Sequence, residues 1–229
     1  IITNTINACY YASISPYNRY ISYKGFKNIN NALLQAPMLY DIHTNKKIRL
    51  DRWQSLCGTP SVSKNGLIAY TLGNALIIKY SNLDVYKTIE LGYHVNLLNF
   101  SSDSSKIMFT DFQGRIVIIN IENGQKEVIN HETLGYWSPT FSPNNKTILA
   151  KTYNGKTVSI DYINKTVYTI SDGEALGWID NEQFAYLKKT IVEGKSNIKE
   201  AKLVLQSIQG SKTIVNINKN ANAAARNGK

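Results

Sequence analysis

Apolar and polar positions in this chain alternate in short runs, without the 3.6-residue rhythm of amphipathic helices. Lys106-Ile107-Met108-Phe109-Thr110, Arg115-Ile116-Val117-Ile118-Ile119 and Lys126-Glu127-Val128-Ile129 succeed one another, with Gln113-Gly114 and Asn123-Gly124 between them. Short β-branched and aromatic runs separated by such pairs predict antiparallel strands joined by hairpin turns. The succession returns as Thr147-Ile148-Leu149-Ala150, Thr157-Val158-Ser159-Ile160 and Thr166-Val167-Tyr168-Thr169-Ile170, with Asn154-Gly155 and Asn164-Lys165 at the turns. No apolar run approaches the ~20 residues of a membrane span, so none is expected.

One phrase recurs ahead of these strands: an apolar residue, then a turn rich in Ser, Pro and Asn. It occurs as Ile14-Ser15-Pro16-Tyr17-Asn18, Val62-Ser63-Lys64-Asn65-Gly66, Phe100-Ser101-Ser102-Asp103-Ser104 and Phe141-Ser142-Pro143-Asn144-Asn145. Trp178-Ile179-Asp180-Asn181-Glu182 is a degenerate fifth copy. From one apolar position to the next the spacings are 48, 38, 41 and 37 residues. Pro presets φ, and Asn or Gly tolerates left-handed dihedrals, so the phrase predicts a tight turn.

Counting the apolar run before each turn, every copy holds four antiparallel strands. Such a sheet cannot bury both faces alone, whereas several stacked radially can. The expected fold is all-β: a β-propeller of four-stranded antiparallel blades, with five blades visible. They fall over 7–51, 55–91, 94–130, 135–171 and 174–217, making 1–217 the propeller and 218–229 a disordered tail or linker. The polar stretch 188–202 predicts a linker with a short helix over 197–205. Residues 2–6 and 212–216 both read as outer strands, one more than a five-bladed ring needs. Either the first belongs to a blade of a larger ring, or the fifth copy is irregular.

Phe141-Ser142-Pro143-Asn144-Asn145-Lys146-Thr147-Ile148-Leu149-Ala150 resembles the F-S-P-D-G-K-x-I-A-F repeat of TolB-type, WD-like propellers. Residues 100–109 match it more loosely, and 14–23 more loosely again. The resemblance covers roughly 7–185 and implies fold more than activity. Trp-Asp dipeptides, paired kelch glycines and the glycine of a sialidase Asp box are all missing. What the resemblance implies is a protein- or peptide-docking scaffold on one face of the disc, in a periplasmic, cell-envelope or secreted setting. The alternative is an accessory propeller of a peptidase or other hydrolase whose catalytic part lies elsewhere; this chain has no Gly-x-Ser-x-Gly elbow.

The inner runs, 8–13, 56–61, 95–99, 136–140 and 174–177, contain one carboxylate, Glu174. A two-carboxylate glycosidase mechanism cannot be built from it. His43, His94 and His131 fall at unrelated places in the repeat, so no metal, cofactor or catalytic residue is expected. Cys9 and Cys57 each lie six residues before an anchor serine, Ser15 and Ser63. Equivalent positions on adjacent blades should lie beyond the ~7 Å that a disulfide spans, which predicts two buried free thiols. Tyr136, Trp137 and Trp178, with Glu174, lie on or beside inner strands. They pack between blades, or they line one mouth of the channel as a surface for a peptide or sugar.

Charge adds one exclusion. The chain carries a net +10, of which +7 falls after Leu187: nine Lys or Arg against Glu193 and Glu200. These cations are scattered and no aromatic follows Tyr186, so a specific nucleic-acid site is not expected. Oligomeric state is not legible.

Overall fold

The computed structural model describes residues 9–129, 135–191, 198–208, 210 and 212–215. These residues form five antiparallel four-stranded sheets. The first holds β1 (Cys9–Ile14), β2 (Tyr20–Ile29), β3 (Ala32–Asp41) and β4 (Lys46–Arg49). The second holds β5 (Ser61–Val62), β6 (Ile68–Leu72), β7 (Ala75–Lys79) and β8 (Val85–Glu90). The third comprises β9 (Leu98–Phe100), β10 (Lys106–Thr110), β11 (Ile116–Asn120) and β12 (Lys126–Ile129). The fourth comprises β13 (Tyr136–Phe141), β14 (Thr147–Thr152), β15 (Lys156–Asp161) and β16 (Val167–Asp172). The last is β17 (Glu174–Trp178), β18 (Gln183–Ile191), β19 (Ile198–Ser207) and β20 (Lys212–Val215). Each is a meander in chain order, as the repeat predicts.

The recurring serine explains the turn between the first two strands of a blade. Ser63 Oγ accepts the amide of Leu67 at 2.9 Å, Ser101 Oγ that of Lys106 at 2.9 Å, and Ser142 Oγ that of Thr147 at 3.0 Å. Ser15 does the same for Tyr20 at 2.9 Å. In every case the serine amide donates to the carbonyl of that same residue. The hydroxyl thus takes the amide of the residue whose carbonyl the backbone bond already holds, closing the loop with a second bond. The left-handed position near its end falls on Asn18, Gly66, Ser104 and Asn145. In the fifth copy Asp180 takes over, its Oδ1 accepting the amides of Glu182 and Gln183 at 2.8 and 2.7 Å.

The chain divides into two compact units, Ile1–Pro139 and Thr140–Lys229. In the first, Leu76, Ile78, Ile107, Phe109, Val117 and Ile119 form a buried cluster from the second and third blades. Leu39, Leu50, Ile68 and Tyr70 do so between the first and second. In the second unit Leu149, Phe184, Tyr186 and Val204 form the core.

Three expectations need correction. The stretch 197–205 is strand, not helix: β19 pairs with β18 from Gln183↔Ser207 to Ile191↔Ile198. Its Leu203-Val204-Leu205 run finds a full ladder there, and that outweighs local helical preference. The second and third inner strands are shorter than 56–61 and 95–99 suggest. Pro60 has no amide to donate. Thr59 N instead donates to Asn96 O at 2.8 Å, and Thr71 Oγ1 to Val95 O, so these backbone groups bond between blades. The repeat frame predicts that Phe100, Phe141 and Trp178 are all buried at equivalent blade positions; Phe141 is buried, but Phe100 and Trp178 are half-buried. Among the described residues the only helical segment is the 3-10 turn Pro16–Asn18, and no helix is long and apolar enough to cross a membrane. Residues 1–6 and 218–229, and with them the surplus strand and the tail, lie outside the described residues.

Candidate functional site

The four residues singled out by sequence have different surroundings. Tyr136 is fully buried, its amide bonded to Gly114 O at 2.7 Å and its hydroxyl without a partner among the described residues. Burial raises its pKa. Its ring is core. Trp137, the next residue on β13, points the other way and is 43% exposed. Alternation along a strand produces that division.

Trp137 borders a cleft of about 50 Å³ walled by Asn96, Asn99, Thr110, Ser138 and Pro139. Asn99 Nδ2 donates to Pro139 O at 3.0 Å and ties β9 to β13. The turn bonded to Tyr136 also carries Phe112, 70% exposed and edge-on to Tyr93 at 5.3 Å. An exposed indole, an exposed phenyl ring and two carboxamides therefore share one end of the inner strands in the first unit. Sequence reading missed Phe112; the signal available was its place in the turn beside Gly114.

At the opposite ends of those strands lies a second cleft, of about 250 Å³. Ser13, Ser61 and Asn99, each two residues before an anchor serine, all line it. Ser13 Oγ is bonded to Ser22 Oγ at 2.8 Å. Asn99 belongs to both clefts.

In the second unit, Trp178 is half-buried, edge-on to Phe184 at 5.8 Å, and donates from Nε1 to Thr140 O at 3.2 Å. Those contacts hold its ring in place as packing. Glu174 is ion-paired to Lys151 Nζ at 2.7 Å.

Cys57 is a fully buried free thiol, and burial pushes its pKa up to about 11. The side chain of Cys9 lies outside the described residues, as does His131. His94 is half-buried, with Nδ1 3.2 Å from Gly73 O, and burial lowers its pKa. Among the described residues no group of three or more His, Cys, Asp or Glu is placed to hold a metal ion.

No protein-family profile matches this sequence. No curated protein matches it either. Solved structures do. TolB from Acinetobacter baumannii is similar at a TM-score of 0.66 and 16% identity, over 93% of this chain and 55% of that one. The β-propeller domain of Cps50 (Swd1) from Myceliophteria thermophila is similar at 0.64 and 12%, over 94% of this chain and 88% of that one. The chain thus spans about half the length of the TolB chain it matches. At these identities the likeness concerns fold, and a fold of this kind hosts many functions. The five meander sheets, the repeated serine turn and these likenesses together give the chain a β-propeller fold, similar to those of TolB and of the WD-like Cps50 propeller domain.

Proposed function

We propose that this propeller is a non-enzymatic interaction domain that binds a peptide segment of a partner protein against Trp137. The observation that carries the reading is the exposed Trp137 indole beside the carboxamides of Asn96 and Asn99. An extended peptide offers what these groups take: an apolar side chain for the rings, and backbone N–H and C=O groups for the amides. Trp and Tyr are favoured at such surfaces because they give large contact area with few rotatable bonds. Tyr136 beneath is locked in the core and holds the strand, so little ordering is needed on binding.

The test is selection of displayed random peptides on the immobilised chain, followed by titration of the winners. The reading expects a shared motif whose affinity falls at least about tenfold in Trp137→Ala, with an unchanged melting temperature. Phe112→Ala should weaken it less. Failure to enrich any motif, or winners indifferent to Trp137→Ala, would refute it.

A further inference from the structure

Lys24, in the middle of β2, is only 5% exposed. Its ammonium donates to Asn96 Oδ1 on the third blade. Among the described residues no carboxylate is ion-paired with it. An ammonium has three donors, so two are left over. A charge buried in this way is costly without a counter-ion.

The groups around it do not neutralise it. Asn96 is uncharged, burial keeps the Cys57 thiol protonated, and burial favours the neutral His94 ring. Burial likewise draws the lysine below its usual pKa. A second unused group belongs to a residue that bonds the same asparagine. Thr59, 4% exposed, donates its amide to Asn96 O, while its Oγ1 has no partner among the described residues. Thr110 Oγ1 is also buried and unpartnered, and it shares the wall of the Trp137 cleft with Asn96. Polar groups left over from three consecutive blades therefore gather about one asparagine.

We propose that Lys24, Thr59 and Asn96 form a carboxylate-binding pocket that takes an acidic group of the peptide bound at Trp137. The inference rests on the peptide reading above and names the chemistry of its ligand. A single ammonium matches one negative charge. A carboxylate brings two oxygens, one for the lysine and one for a threonine hydroxyl. A phosphate carries more charge than this site neutralises. Asn96, which Lys24 and Thr59 both bond, is itself a wall of the Trp137 cleft, and that cleft is of a size for one such group, not for a large ring.

Three small probes separate the possibilities: acetyl-Glu-amide (side-chain carboxylate only), acetyl-Gln with a free C-terminus, and uncharged acetyl-Gln-amide. The full chain is labelled with ¹³C-lysine, and the Lys24 ε-carbon resonance is followed during titration. At least one carboxylate probe should move it saturably, and acetyl-Gln-amide should not. Lys24→Met should abolish binding of that probe. Thr59→Val, which removes only the hydroxyl, should weaken it about three- to tenfold. A resonance unmoved by either acid, an equal response to the neutral amide, or full binding by both variants overturns the proposal. Trp137-dependent peptides with no preference for acid would overturn it and leave the peptide reading standing. A carboxylate response at Lys24 without Trp137-dependent peptides would uphold this site and sink that reading.

Discussion

Ser142→Ala is the most direct test of how the repeat is held together. Ser142 has no exposed surface. Its Oγ accepts the Thr147 amide at 3.0 Å and donates to Asn144 Oδ1 at 2.8 Å. Asn144 is exposed, so water replaces its lost donor and that bond contributes little. The Thr147 amide begins β14, next to the buried Ile148. Stranding a buried donor costs about 1–3 kcal/mol, which puts the substitution near 2 kcal/mol. For a chain of this length that lowers the melting temperature by about 4–8 °C. Urea unfolding followed by tryptophan fluorescence should show a lower midpoint at an unchanged slope. Asn144→Ala is the control and should cost well under 1 kcal/mol. If Ser142→Ala costs less than about 0.5 kcal/mol, or no more than the control, the serine is not the closing element of the turn.

Three further perturbations bear on separate parts of the structure. Phe141→Ala removes a buried ring edge-on to Tyr162 at 5.5 Å and should cost about 3–4 kcal/mol, while half-buried Phe100→Ala should cost about half as much; equal losses in urea titration would contradict the burial difference. Gly58→Ala would place its Cβ 2.5 Å from Thr71 Oγ1 and 2.6 Å from Val95 O, so the melting temperature should fall by several degrees, and an unchanged value would mean that the second and third blades do not approach this closely. Cys57 ionises near 9 when unfolded but near 11 when buried, so its contribution is intact below pH 9 and is lost as pH rises from 9 to 11. Allowing for screening, the loss is about 1–2 kcal/mol, and wild type should converge towards Cys57→Ala across that window in stability measurements; parallel curves would refute the assignment.

The blades were legible because their signals are local. A Ser-Pro-Asn turn and an Asn-Gly or Gln-Gly hairpin act within a few residues, so their chemistry is present in the sequence itself. The fifth blade was read less well for the same reason: 188–202 is polar, and what makes 198–207 a strand is its partner β18, which local composition does not reveal. The candidate site was legible in half. Sequence placed Tyr136 and Trp137 on an inner strand, but which of two adjacent residues faces solvent depends on register against the core. Lys24 carried no signal at all. An isolated lysine in a strand reads as exposed, and only the meeting of three blades makes it buried.

The two halves of the blade design are connected. Each of the first four anchor turns is closed by its own serine within a handful of residues, and the fifth by Asp180, so a blade's register does not depend on a long inner strand. The starts of the inner strands are then free to depart from regular pairing. Gly58 and Pro60 occur there, and Thr59 N and Val95 O bond across blades instead of along their own ladders. On this irregular backbone Thr59 Oγ1 has no partner among the described residues; Thr110 Oγ1, on β10, has none either, and Lys24, on β2, bonds Asn96. Repeated turns hold the scaffold while the irregular segments carry unsatisfied polar groups. Local rules in natural proteins tend to be broken at the sites that bind. By that logic, stiffening the turns should stabilise this domain without affecting the cleft, whereas regularising residues 56–60 or 95–97 should stabilise it at the expense of binding.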